Sequence, residues 1–290
     1  MLKIVGTVPE TDFPLVSGEA ALENGFVTVG NKRIPVNRGT PALLAAATCA
    51  AKALDRPAPF AHLVGDTGLG HGSRRLYADL AENLGGSDFG TIIFHYLQPD
   101  VDWHNRVLFA LEKINPRPAL IADAGFMYAA KMSGQAKAYD LFTPDIGELA
   151  FLADKDAPHP FYARGFILHR EERVLDMIQR AYKHGNAAGC LLVKGERDYV
   201  AGPDGVHETV DGPVEEAMEA VGGTGDTLSG IVSVLIDSSM DIRQACAAAA
   251  RANRLAGRYA RPTPATQVGE IIRHIPRALN EVLVQKTLDF

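Results

Sequence analysis

Val221-Gly222-Gly223-Thr224-Gly225-Asp226-Thr227-Leu228-Ser229-Gly230-Ile231-Val232 is a glycine-rich turn that runs straight into a helical pattern with an apolar face. The first N–H groups of a helix have no partner inside it, and the helix dipole adds positive potential at the same spot. Such a turn attracts an anion. Gly222, Gly223 and Gly225 lack the Cβ atoms that would block a phosphate, and the same donors stabilise charge on a transferring phosphoryl group. Gly223, Thr224 and Gly225 are the candidate anion-hole residues. Asp226, on the first turn, is placed either to accept a proton from a substrate hydroxyl or to act as an ordinary capping group. Four glycines within nine residues, followed by a well-patterned helix, favour the first reading.

Upstream of this segment, short β-branched or aromatic runs alternate with helical patterns, the signature of βα units that build a mostly parallel sheet. The pattern predicts strands at Ala61–Val64, Thr91–Tyr96, Ala119–Asp123, Tyr139–Phe142 and Cys190–Val193. Helices are predicted at Pro41–Leu54, Ser73–Leu84, Asp102–Leu111 and Glu171–His184. Residues 1–38 differ. Phe26–Val29 and Arg33–Val36, separated by Gly30-Asn31-Lys32, read as a β-hairpin, a small lid or edge sheet. A second hairpin follows Val193, with Tyr199–Ala201 and Val206–Val210 around Gly202-Pro203-Asp204-Gly205. The last third reads as helices at Gly225–Ile236, at Asp241–Tyr259 with Asp241 as N-cap, and at Gln267–Val284.

GGTGDTLSGI resembles the anion-hole motif of the ribokinase superfamily and is most similar to the carbohydrate-kinase-like ATP- or ADP-dependent NAD(P)H-hydrate dehydratases. The resemblance extends, with gaps, from about residue 60 to 260. It implies a single domain over residues 1–290: a three-layer α/β/α sandwich with a mostly parallel central sheet and antiparallel edge strands. It also implies ATP or ADP together with Mg2+, and a small-molecule substrate. Leu192-Val193-Lys194-Gly195-Glu196-Arg197-Asp198 resembles the family's strand-and-turn contact for the adenylate phosphate. Phe142-Thr143-Pro144-Asp145-Ile146-Gly147-Glu148 resembles its Thr-Pro-His-Pro-Gly-Glu segment.

Each of these residues also has a reading of its own. Lys194 falls at the C-terminal end of a predicted strand, where open α/β sheets hold ligands, or it is a surface lysine. Asp145 and Glu148 open a short helix; Glu148 is the candidate magnesium ligand, and the alternative is that the pair complements the helix dipole. Asp123 ends a strand as a substrate-side carboxylate or as a turn former.

The substrate side departs from the family pattern. His95-Tyr96-Leu97-Gln98-Pro99-Asp100 stands where the hydrate dehydratases carry Gly-Pro-Gly-Leu-Gly, and Asp145 takes the place of the family's histidine. His95 is therefore either a new substrate contact, with Asp123, Asp145 and Asp226, or a hydrogen-bonded structural residue. A further glycine-rich turn, Gly65-Asp66-Thr67-Gly68-Leu69-Gly70-His71-Gly72-Ser73, resembles the Gly-Asp-x-x-Gly segment of sugar kinases, which favours a kinase over a dehydratase. Glycines for a tight turn with Ser73 as cap is the structural alternative. Dehydratase, small-alcohol kinase and a nucleotide-binding protein without turnover all remain open.

A formal charge of −6 and the lack of a Lys/Arg cluster interleaved with aromatics argue against a nucleic-acid partner. Cys49, Cys190 and Cys246 are far apart, so neither a disulfide frame nor a zinc site is expected. The longest apolar stretch, PALLAAATCAAKAL, is too short to span a bilayer, and the N-terminus lacks a signal pattern. The expectation is a cytoplasmic protein without a membrane partner, compatible with assembly as a homo-oligomer.

Overall fold

The computed structural model describes residues 1–84, 88–157 and 173–288. Six strands run parallel through the middle of the sheet: β1 (Leu2–Val8), β5 (Phe60–Gly65), β6 (Thr91–His95), β7 (Ala119–Ala122), β8 (Leu141–Phe142) and β9 (Cys190–Val193). Antiparallel strands extend both ends. On one side are β10 (Asp198–Gly202) and β11 (Gly205–Val210). On the other are β2 (Val16–Glu23), β3 (Phe26–Val29) and β4 (Lys32–Pro35). The order across the described sheet is β11-β10-β9-β8-β7-β6-β1-β5-β2-β3-β4.

Alternate side chains of each central strand enter opposite cores, as period-two geometry requires. Ile93 of β6 belongs to one apolar cluster, while Ile92 and Phe94 belong to the other. The first cluster takes in α1 (Thr40–Ala53), α8 (Thr224–Asp237), α9 (Ile242–Ala260), α10 (Val268–Ile272) and α11 (Ile275–Leu288). The second takes in α2 (His71–Asn83), α3 (Val101–Leu111), α4 (Ala124–Met132), α5 (Ile146–Ala153) and α6 (Val174–Lys183). Helix α7 (Ala217–Ala220) is a short turn before α8. The result is a three-layer α/β/α sandwich, as the resemblance implies. No described helix is long and apolar enough to cross a membrane.

The predicted strands and hairpins recur within a residue or two, except that Tyr139 precedes β8 and buries its ring, with its hydroxyl 2.8 Å from His104 Nε2. Several elements differ, among them β2, an eight-residue antiparallel strand that the pattern leaves unassigned. Leu2–Val8, which the pattern leaves unassigned, is a fully buried central strand between β5 and β6. Its Lys3 and Gly6 interrupt the β-branched run that marks a strand. Helix α4 is hidden in the pattern because Ala124-Gly125 reads as a turn. The single helix expected over Gln267–Val284 is two, α10 and α11, separated at Arg273-His274. Residues 171 and 172 of the helix expected at Glu171–His184 lie outside the described residues.

Helix α8 is clamped by close packing. A Cβ on Gly230 would stand 2.4 Å from the Leu43 carbonyl of α1, so the two helices touch backbone to backbone. That contact fixes the height at which α8 presents its N-terminus beside the strand ends.

Candidate active site

The carboxyl ends of β6, β7, β8 and β9 and the N-terminus of α8 converge at one edge of the sheet. This is where open α/β folds hold ligands. Gly223 starts α8 with φ 103°, and no side chain caps the helix, so its first N–H groups remain for an anion. A Cβ at Gly223 would also stand 3.2–3.3 Å from Val268, Ala42 and Arg38. Thr224 turns its hydroxyl back to the Val221 carbonyl (3.3 Å). Asn253 of α9 braces the turn from behind, its Nδ2 donating to the Thr224 carbonyl at 3.1 Å while Oδ1 accepts from Thr227 at 2.6 Å.

Asp226 is held by both oxygens. The Gly39 N–H donates to Oδ2 at 2.6 Å, and His95 Nε2 donates to Oδ1 at 3.1 Å. An ionised carboxylate only accepts, so Nε2 carries the proton. His95 Nδ1 is 2.9 Å from the Thr40 hydroxyl. Burial works against the Asp226 charge, but the His95 hydrogen bond and charge, Lys194 and the Gly39 N–H together hold its carboxyl below the usual range. Asp226 is ionised at neutral pH, and its side chain remains 12% exposed.

Lys194 Nζ reaches both oxygens of Asp123, at 3.1 and 3.0 Å. Ser229 Oγ donates to Asp123 Oδ2 at 2.6 Å and lies 3.0 Å from Thr143 Oγ1. Burial disfavours the Lys194 ammonium, yet Asp123, Glu148 and Asp226 outweigh it and keep the group well above the ordinary lysine range. Lys194 is therefore a permanent cation, and a Cβ on Gly225 of the anion loop would lie 3.7 Å from its Nζ.

Several expected site residues have other occupations. His95 and Asp123 are enclosed, His95 touching Asp226 and Asp123 touching Lys194. Asp198 is buried in an ion pair with Arg254 of α9 (2.7 Å), and Arg254 also donates to the carbonyls of Gly195 (3.1 Å) and Glu196 (2.8 Å). That pair shapes the turn, leaving Gly195, Glu196 and Arg197 exposed on it. Asp145 and Glu148 form a reciprocal capping box on α5: Glu148 N donates to Asp145 Oδ1 (2.7 Å) and Asp145 N to Glu148 Oε2 (2.8 Å).

Residues 97–277, well over half of the chain, match the Carb_kinase family, described as NAD(P)H-hydrate dehydratase. The chain belongs to this family. It is 41% identical over 220 residues to an uncharacterized protein of Methanocaldococcus jannaschii, covering 76% of this chain and 90% of the relative. It is 29% identical over 167 residues to the bifunctional NAD(P)H-hydrate repair enzyme Nnr of Pyrobaculum aerophilum, covering 56% of this chain but only 29% of that enzyme. The fold is that of the ADP/ATP-dependent NAD(P)H-hydrate dehydratase of Bacillus subtilis, co-crystallised with ATP/Mg2+ (TM-score 0.58, 14% identity, 97% of this chain and 89% of that one). Phosphofructokinase-2 of Escherichia coli, in complex with fructose-6-phosphate, shares it too (TM-score 0.52, 13% identity, 97% and 100%). This member of the hydrate dehydratase family is thus an enzyme built on the ribokinase-like fold.

Gly39, Thr40 and His95 lie outside the matched span, which begins at residue 97. Nearly two hundred positions separate Gly39 and Thr40 from Asp226. Ser229 was the more legible omission: it follows Asp226 by three residues and so shares its helix face.

Glu148 suits a divalent cation. Removal from water and the nearby carboxylates of Asp145 and Asp123 push its carboxyl up to about 8, a crowding of negative charge that a cation relieves. Mg2+ needs only one or two carboxylates when substrate phosphates supply the rest.

Proposed function

We propose that the chain catalyses nucleotide-dependent phosphorylation of a substrate hydroxyl followed by elimination of phosphate, the NAD(P)H-hydrate dehydratase reaction. The observation that carries this reading is the ionised Asp226, locked by Gly39 and His95 beside the uncapped N-terminus of α8. In the first step the substrate oxygen forms a bond to the terminal phosphorus of ATP or ADP. The phosphoanhydride bond breaks, the nucleotide leaves with one phosphate fewer, and Asp226 takes the hydroxyl proton. In the second step the C–O bond to phosphate breaks and an adjacent carbon loses a proton. Inorganic phosphate departs, and the nicotinamide ring double bond of NADH or NADPH is restored.

A loose phosphoryl-transfer transition state asks mainly for positioning and charge stabilisation, so a carboxylate of low basicity suffices. The N–H groups from Gly223 to Gly225 and the Lys194 ammonium supply that stabilisation. Glu148 is the residue to hold Mg2+, which supplies neutralisation of phosphate charge when bound. The exposed turn Gly195–Arg197 is available to the remainder of the nucleotide.

The test is incubation with ATP or ADP, Mg2+ and NADH hydrate, following recovery of NADH absorbance and release of phosphate. Turnover that falls by about 10²–10⁴-fold in Asp226→Asn supports the reading; full activity in that variant refutes it. A second reading, a kinase that stops at a stable phosphate ester, draws support from the substrate side, where His95–Asp100 replaces the family's glycine turn. The same incubation with a panel of alcohols separates the two by whether the ester accumulates.

A further inference from the structure

Tyr96 stands out at the mouth of this site. Its backbone has φ 55°, a left-handed conformation that is costly for a bulky residue and persists where the surroundings enforce it. Here the Thr7 hydroxyl enforces it, donating to the Tyr96 carbonyl at 2.8 Å. The ring packs edge-to-face against His95, centroids 4.5 Å apart at 87°. On another side lies Gly39, where a Cβ would sit 3.7 Å from the ring. Both neighbours are the groups that hold Asp226. Even so, the residue is 42% exposed, and among the described residues its hydroxyl has no hydrogen-bond partner.

A strained backbone that displays a large aromatic ring beside the reacting carboxylate gains nothing in stability from that display. A glycine or asparagine would take this φ at lower cost, and an aromatic residue kept only for packing would bury its ring. Burial, together with Asp226, Asp123 and Glu148, keeps the phenol neutral, up to about 12, so it is available as a hydrogen-bond donor.

We propose that Tyr96 is the acceptor-recognition residue: its ring stacks on the conjugated part of an unsaturated ring of the acceptor, and its hydroxyl donates to a polar group on that ring. The inference rests on Asp226 as the group facing the acceptor hydroxyl. It narrows the acceptor class to compounds whose reacting hydroxyl is borne on or next to an unsaturated ring, as opposed to an open-chain or saturated sugar. An unsaturated ring adds π–π contact with the tyrosine that a saturated sugar does not supply, and the KM values read that difference.

The experiment measures KM for acceptor and for nucleotide separately, with NADH hydrate, pyridoxal and fructose 6-phosphate as acceptors, in the parent protein and in Tyr96→Phe, Tyr96→Leu and Tyr96→Asn. Tyr96→Leu is expected to raise KM for the ring acceptor about tenfold, with the KM for ATP unchanged. Tyr96→Phe keeps the ring and loses only the hydroxyl, with a rise of about threefold. Tyr96→Asn tolerates the left-handed backbone, so it is expected to match the KM of Tyr96→Leu without any drop in thermal midpoint, which separates recognition from folding. An unchanged acceptor KM in Tyr96→Leu and Tyr96→Asn overturns the inference, as does preference of the parent protein for fructose 6-phosphate. Neither result touches the role of Asp226, whose own test is retention of activity in Asp226→Asn.

Discussion

Two glycine-rich turns at the same edge of the sheet each carry an aspartate next to a helix, and they use it in opposite ways. In Gly65–Ser73 the carboxylate of Asp66 turns inward. It accepts from the N–H groups of Gly68 (2.9 Å), Gly70 (3.0 Å) and Ser73 (2.8 Å) and from the Ser73 hydroxyl (2.8 Å). Burial disfavours that charge, but these four donors hold the carboxyl below its usual range. In Gly222–Asp226 the turn gives its aspartate nothing. The donors come from Gly39 and His95, far away in the sequence, and the helix N–H groups stay unused by any side chain. The first aspartate is consumed by its own turn. The second takes its donors from outside its own turn, which leaves the N–H groups of that turn for a ligand.

The largest expected effect in breaking this contrast is on catalysis. Asp226→Asn is expected to lower turnover about 10²–10⁴-fold with a smaller loss of stability, about 1 kcal/mol, because the amide oxygen accepts only one of the two hydrogen bonds that the carboxylate accepts. Asp66→Ala should do the reverse. Stripping four donors of their acceptor is expected to cost about 2–3 kcal/mol in urea unfolding, with turnover of the folded fraction close to the parent value. If Asp66→Ala abolished turnover without loss of stability, the two turns would not be functionally distinct.

The contrast is sharpened by His95, a positioning residue because it is enclosed and acts through Asp226. Gln can place an N–H near the Nε2 position, and Asn cannot. His95→Asn is expected to lower kcat about tenfold to a hundredfold at constant KM, and His95→Gln to recover part of the loss. Because His95 helps to depress the Asp226 carboxyl, its removal raises that group, and the acidic limb of kcat moves to higher pH. The groups that still act on Asp226 in the variant are Lys194 and the Gly39 N–H, with Tyr96 nearby. An unshifted acidic limb with normal kcat in His95→Asn would remove His95 from the unit.

The smallest effect concerns Glu148. Its folded carboxyl is raised to about 8, so the folded state binds a proton that the unfolded state has already released above the ordinary carboxylate value of 4.5. Stability from this group is fully present below 4.5 and declines as pH rises towards 8. Glu148→Gln, which preserves the capping acceptor, is expected to flatten that decline in thermal melts without nucleotide and to weaken the Mg2+ dependence of turnover. A parent-like pH slope in the variant would assign the decline to another group.

Local chemistry made much of this protein legible. The glycine turn before α8, the alternation of short strands and helices, and the two hairpins each follow from preferences acting over a few residues. Where local signals conflict, the pattern fails. Leu2–Val8 carries a lysine and a glycine and reads as an ordinary N-terminus, although it lies at the centre of the sheet. Asp198 reads as a ligand contact because it follows Lys194 in the motif, but its partner Arg254 sits on a helix dozens of residues away.

The amino-acid sequence by itself determined the glycine-rich turn at the head of α8, the family and the layered architecture, because turn preferences and sheet burial are both written in short-range patterns. Only the tertiary structure decided which aspartate is free, that His95 and Gly39 hold it, that Lys194 pairs with Asp123, and that Tyr96 is displayed at the mouth. Those facts depend on which strand lies next to which. A hydrogen bond of about 3 Å between residues a hundred positions apart leaves no trace in either of their neighbourhoods.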